Sequence, residues 1–229
     1  MMIFNKRAQG LLAAFAFMAA SSAFANTNPA SALVTIYGVA VSPNADCSNA
    51  VVLNYSSSPT AVDFEQTPSL FSGSPSAGTY NCVVLLMSDQ LTFTPAATTG
   101  NCTAGTTYSR VVCSGNCTYT TITNASSLAP GVTLTYGSTV QTSATTSQDL
   151  ANATMVPLFI SNGTSGTGQT GLAFTQPTGA NATTAGIALS GAFVVPASSA
   201  TFIVDFDNQV NGSQNPCDLG PPKFGFRSQ

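Results

Sequence analysis

Six successive residues, Cys82-Val83-Val84-Leu85-Leu86-Met87, are all apolar, inside the run GTYNCVVLLMSDQLTFT at 78–94. In a strand, neighbouring side chains point to opposite faces. Tyr80, Cys82, Val84 and Leu86 then share one face, and Asn81, Val83, Leu85 and Met87 the other. A strand apolar on both faces must lie between two packed layers. No segment after the first residues shows a helical period.

The rest of the chain repeats the message. Short stretches rich in Val, Ile, Thr, Tyr and Phe are separated by Gly, Pro, Asn and Ser clusters. We read strands at ALVTIYGVAVS, AVVLNYS, GTYNCVVLLM, QLTFTP, TYSRVVC, CTYTTIT, VTLTYG, MVPLFIS, GLAFTQ, AGIALSGAFVVP and ATFIVDFDN. The stretches SPTAVDFEQTPSLFSGSPS, SNGTSGTGQTG and TQPTGANATTAG read as loops. The expected fold is all-β, an antiparallel sandwich, with one short helix conceivable in TSATTSQDLANAT near Thr146 or Ser147. One domain over 26–229 is expected, with 125–150 as the place for a break.

The first residues carry an export signal. Lys6 and Arg7 precede an apolar stretch from Leu11 to Ala20, and Ala23-Phe24-Ala25 forms a small-residue cleavage site. Residues 1–25 are read as a signal peptide and Asn26 as the first residue of the mature chain. No cysteine follows the cleavage site, so no lipid anchor is indicated there. Secretion to the exterior or cell surface is the expectation. All six cysteines, Cys47, Cys82, Cys102, Cys113, Cys117 and Cys217, fall in the mature part. An even count in an exported chain points to three disulfides, with 15 pairings open. Cys113 and Cys117, four apart, are the first pair to expect. As zinc ligands they lack a histidine or a second close pair.

Charge narrows the function. The mature part has only Arg110, Lys223 and Arg227 as cations, and the chain contains no histidine and no tryptophan. There is no basic surface for nucleic acid and no polybasic segment for anionic lipid. Without histidine, Ser-His-Asp and Cys-His arrangements are impossible. No nucleophile-elbow or phosphate-loop motif occurs. Two close acidic pairs remain, Asp63 with Glu65 and Asp205 with Asp207. They could serve glycoside hydrolysis or, with Asn208 and Asn211, calcium at Asp205 and Asp207. No EF-hand glycine and closing glutamate accompany them, and exposed carboxylates are the commoner finding. Sequons at Asn101, Asn116, Asn162 and Asn211 matter only in a host that glycosylates them.

Val34-Thr35-Ile36 with Val39 and Val41, followed by Gly78-Thr79-Tyr80 and its apolar strand, resembles bacterial exported β-sandwich domains of unknown function. That resemblance covers about a third of the chain and implies a surface or extracellular bacterial domain. The cysteines, and the lack of a lipid-anchor cysteine, depart from its lipoprotein members.

These readings leave a non-enzymatic role. One is a structural subunit of an extracellular fibre or matrix, a homopolymer of copies of itself. In it Val34, Ile36, Val39 and Val41 form a donor strand that completes the sheet of the next copy. Against this stands the ordinary case, in which a first strand pairs within its own subunit. The alternative role is a monomeric adhesion module that binds glycan or a host surface through its loops.

Overall fold

The computed structural model of the chain describes residues 26–66, 76–113, 117–142, 154–167, 172–178, 184–189, 191–195 and 200–228. These residues are mostly β, with no α-helix among them and two short 3-10 turns at Phe64–Gln66 and Ala125–Ser127. The helix considered near Thr146 falls outside the described residues.

Two strands of 14 residues, β1 (Pro29–Ser42) and β5 (Cys82–Pro95), form an antiparallel central pair. Their outer edges are covered in halves. On the side of β1, β2 (Val51–Tyr55) covers one end and β3 (Ala61–Asp63) the other. On the side of β5, β9 (Met155–Ser161) covers one end and β6 (Tyr108–Val111) the other. A two-residue strand, β10 (Ile187–Ala188), pairs parallel with β9. Four small pairs stand off this sheet: β4 (Gly78–Tyr80) with β11 (Phe193–Val195), β7 (Thr118–Ile122) with β8 (Tyr136–Gln141), β12 (Ala200–Asp205) with β15 (Lys223–Ser228), and β13 (Val210–Asn211) with β14 (Asp218–Leu219).

The change of outer partner has a local cause. Val34 pairs with Leu91 but Ile36 with Met87, so Ser88, Asp89 and Gln90 bulge against Thr35. A bulge bends the strand and re-aims its edge. Asp89 sits where β5 leaves β9 for β6. Its N–H donates to Thr154 O at 2.9 Å, its Oδ1 accepts from Thr154 N at 2.8 Å, and its carbonyl accepts from Val112 N at 2.7 Å. A fully buried carboxylate thus completes backbone bonds that neither ladder could make. The β1 edge is finished in the same way: Asp63 Oδ1 accepts from Ala32 N at 2.9 Å and Asn54 Oδ1 from Val39 N at 3.0 Å. Gly38 is needed there, because a Cβ would lie 2.6 Å from the Asn54 carbonyl oxygen.

The bulges also explain the spacing of β1. Val34, Val39 and Val41 break strict alternation, yet all are buried in one core cluster, with Ile36 packed against it. Val83, Leu85, Met87, Leu91 and Phe93 join them from β5. Phe64, Phe174, Ile187, Phe206 and Phe224 cover this face. The other face holds Ala40, Cys82, Val84, Leu86 and Phe159, under Leu128 and Leu134. Tyr136 closes it, its hydroxyl donating to Cys47 O at 2.9 Å and its ring set edge-on to Phe159. Burial first, and the charge of Asp46 after it, hold the Tyr136 phenol far above its usual range.

The alternation read for residues 82–87 is the one found. Tyr80 differs: it packs with the first cluster, because the chain turns at Asn81 and β4 pairs with β11. QLTFTP continues β5, and the described part of GLAFTQ, 172–176, forms a turn whose Ala173 and Phe174 are buried.

The cysteines pair as Cys47–Cys82, Cys102–Cys217 and Cys113–Cys117. No cysteine is free. Three disulfides fit a compartment outside the reducing cytosol. No helix among the described residues is long and apolar enough to cross a membrane.

Candidate functional site

Three features gather the residues singled out from the sequence. The first is β1. It is the first strand among the described residues, and both its edges are hydrogen-bonded within the same chain. Val34, Val39 and Val41 are essentially inaccessible, at 1%, 0% and 2% exposure. Ahead of it, Thr27 exchanges backbone hydrogen bonds with Val210, at 3.1 and 2.9 Å. Behind it, Asn81 Nδ2 donates to Pro43 O at 2.6 Å, and Cys47 is bridged to the start of β5.

The second feature is acidic. The triplets Asp63-Phe64-Glu65 and Asp205-Phe206-Asp207 have the same form, a buried phenylalanine between two acids. Phe64 and Phe206 stack with centroids 6.2 Å apart. Packing the two rings together brings the flanking acids together as well. Glu65 is pushed above its ordinary value, by partial desolvation first and then by Asp63, Asp207 and Asp205. The candidate calcium ligands have other partners: Asp205 Oδ1 accepts from Asp207 N at 2.8 Å, and Asp207 Oδ1 from Asn28 Nδ2 at 2.8 Å. Among the described residues, no group of three His, Cys, Asp or Glu side chains is placed to hold a metal ion.

The raised Glu65 makes a pH prediction. A carboxylate with a raised folded-state pKa destabilises the fold when ionised, and that penalty is relieved as pH falls toward and below its ordinary value of 4.5. Glu65→Gln should therefore raise the melting temperature at pH 7, by no more than about 2 °C for so exposed a group. The gain should vanish in melts at about pH 3, well below the ordinary value of 4.5, where glutamate is protonated in both states. An equal gain at both pH values would show that charge is not the cause.

The third feature was not singled out from the sequence. A cavity of about 270 Å³ lies beneath the first face of the sheet. Leu91, Leu158, Phe174, Ile187, Phe206 and Phe224 supply apolar wall, and Arg110 and Asp218 supply its charged part. Arg110 is only 4% exposed. Its Nε donates to Asp218 Oδ1 at 3.2 Å and its Nη1 to Ser109 O at 3.0 Å. Its Nη2 is buried with no hydrogen-bond partner among the described residues. Pro221, Pro222, Ile187 and Phe224 also border a neighbouring cavity of about 470 Å³, which reaches Ser165, Gln209 and Lys223.

No family model, no curated protein and no solved structure matches this chain. Its function has to be argued from its own residues.

The fold unites the two acidic pairs and buries the β1 valines. Arg110 had a visible signal. It is the one charged residue inside TYSRVVC, an otherwise uncharged strand, and a lone charge in such a strand must find a buried partner or an exposed edge.

Proposed function

We propose that this chain is a secreted, non-enzymatic structural subunit of an extracellular fibre or matrix, built on an antiparallel β-sandwich and joined to its neighbours by exchange of β1. One observation supports the reading most: the first strand among the described residues is also the central one. An N-terminal strand can leave without threading the rest of the chain. A central one leaves behind a long groove, with β5 on one side and β2 and β3 on the other. The β1 of a second copy fits that groove by identity, through the same main-chain bonds and the same Val34, Val39 and Val41 contacts. The Cys47–Cys82 bridge sets the inner limit of the exchanged segment, so residues 43–46 would serve as the hinge. Each copy that donates its strand to the next, and receives one from the copy before, extends a filament. The scarcity of charge on the chain leaves little repulsion between copies.

Deletion of Asn26 to Val41 should abolish polymers and leave an unstable monomer. A synthetic peptide of the deleted segment should restore protease resistance without restoring filaments. Negative-stain microscopy and size exclusion of the mature chain read out both results. A full-length protein that stays monomeric at high concentration, or a deleted one that still polymerises, would exclude strand exchange. A binding module would then be the better reading.

A further inference from the structure

We infer that the cavity bordered by Pro221, Pro222 and Lys223 is a binding site for a small amphipathic anion, an apolar body carrying one carboxylate. The inference does not depend on strand exchange and holds for a monomer as for a filament.

Three observations carry it. The first is size and wall. The cavity is about 470 Å³. Small-molecule sites usually span roughly 300–1,000 Å³ and are mainly apolar, with a few polar groups that fix orientation. Here the buried Ile187 and Phe224 and the half-buried Pro221 and Pro222 supply the apolar wall. The second observation is that both sides are tied in place, so the space exists before a ligand arrives. On one side, Ala188 N donates to Gly166 O at 2.8 Å and Thr167 bridges Ile187. Gly166 is needed for that approach, because a Cβ there would collide with the Gly186 carbonyl oxygen. On the other side, Gly220 N donates to Gln209 O at 2.7 Å, β13 pairs with β14, and Cys217 is bridged to Cys102. Neither side has to be ordered on binding, which spares the ligand that cost.

The third observation is charge, which selects the class of ligand. Lys223 borders the cavity and is exposed, so its ammonium is within reach of a ligand there. Arg110 is paired with Asp218, whereas Lys223 forms no ion pair among the described residues. Asp205 stands opposite Lys223 in the β12–β15 ladder without pairing to it, its Oδ1 accepting from Asp207 N at 2.8 Å. Among the described residues, no acid borders the cavity. A carboxylate on the ligand therefore meets one cation and no anion in the wall. One cation with Asp205 nearby matches a single negative charge and not a dianion. An ammonium on the ligand would face Lys223 itself, and a neutral ligand would forgo the charge-assisted bond.

The test uses hexanoate as the probe and hexanamide as its neutral counterpart of the same size, on the mature disulfide-bonded chain at pH 7. Saturation-transfer NMR should show hexanoate bound at millimolar concentration and hexanamide bound about fivefold more weakly, the factor an exposed ion pair supplies. Lys223→Met keeps the apolar stem and removes the charge. It should weaken hexanoate by the same factor and leave hexanamide unchanged. Ala188 borders the cavity at an exposed position of β10, so Ala188→Phe fills the space and should abolish binding of both while the thermal transition stays cooperative. The proposal is overturned if wild type does not bind hexanoate at millimolar concentration, or if hexanamide binds as tightly. It is equally overturned if either folded variant binds hexanoate as wild type does. Should Ala188→Phe fail to fold, the hexanamide comparison and the Lys223→Met variant still decide.

Discussion

Leu85→Asp should leave no folded protein. Leu85 is wholly buried, paired with Val39 of β1 on one side and Leu158 of β9 on the other. Its side chain belongs to the first cluster, on the same face of β5 as Val83 and Met87. A carboxylate there has no cation to meet and no room for water. The penalty for such a buried, unpaired charge is several kcal/mol, comparable to the whole stability of an ordinary domain of about 5–15 kcal/mol. Val84→Asp should fail equally, although its side chain enters the other cluster. Failure from both faces is what separates a strand covered on two sides from one covered on a single side. Val194, on β11, is 56% exposed, and Val194→Asp should fold nearly as wild type. Soluble yield, far-UV circular dichroism and limited proteolysis read out all three. A soluble, protease-resistant Leu85→Asp protein would show that β5 is peripheral.

Removing the disulfides one at a time should destabilise the protein in the order of the loops they close. Cys102 and Cys217 are 115 residues apart, Cys47 and Cys82 are 35 apart, and Cys113 and Cys117 are 4 apart. Closing a loop of each length in the unfolded chain corresponds to about 5, 4 and 2 kcal/mol respectively. The longest bridge also holds the C-terminal segment to the sheet, where Asn101 N donates to Gly212 O at 2.9 Å and Asn101 Nδ2 to Gln214 O at 3.0 Å. Paired Cys→Ala variants, followed by denaturant titration, should show the Cys102–Cys217 pair losing most. Non-reduced intact mass should first show the wild type lighter than its reduced form by one hydrogen pair per bridge. Native protein that reacts with iodoacetamide, or three equal losses, would contradict this account.

The sequence by itself determined the local alternations and the strand that had to be central. A run such as Cys82 to Met87 offers no polar face to water, so any stable fold must cover it twice, and its core clusters do so. The ranges of β2, β6, β7 and β9 were legible for the same reason, through β-branched residues between turn residues. The Cys113–Cys117 bridge was legible because a short loop keeps its ends together whatever the rest of the chain does.

What required the tertiary structure was everything set by distant neighbours. GLAFTQ carries the composition of a strand, but its backbone serves other elements: Phe159 N donates to Ala173 O at 3.1 Å and Thr120 N to Phe174 O at 2.9 Å. Propensity cannot tell a strand from a buried turn when the bonds are made by segments far away in the chain. β15, with Lys223, Phe224 and Arg227, was missed because a short alternation around Gly225 becomes a strand only when β12 lies beside it. The two longer disulfides depend on loop closures that leave no mark on local sequence. The acidic pairs were visible separately, but only the stacking of Phe64 on Phe206 joins them. The cavity beside Arg110 is a volume left between β6, β9 and the C-terminal segment, and no residue encodes it alone. Local chemistry decides what a segment can be; which edge, ring or void it meets is decided by packing, and packing is a property of the whole chain.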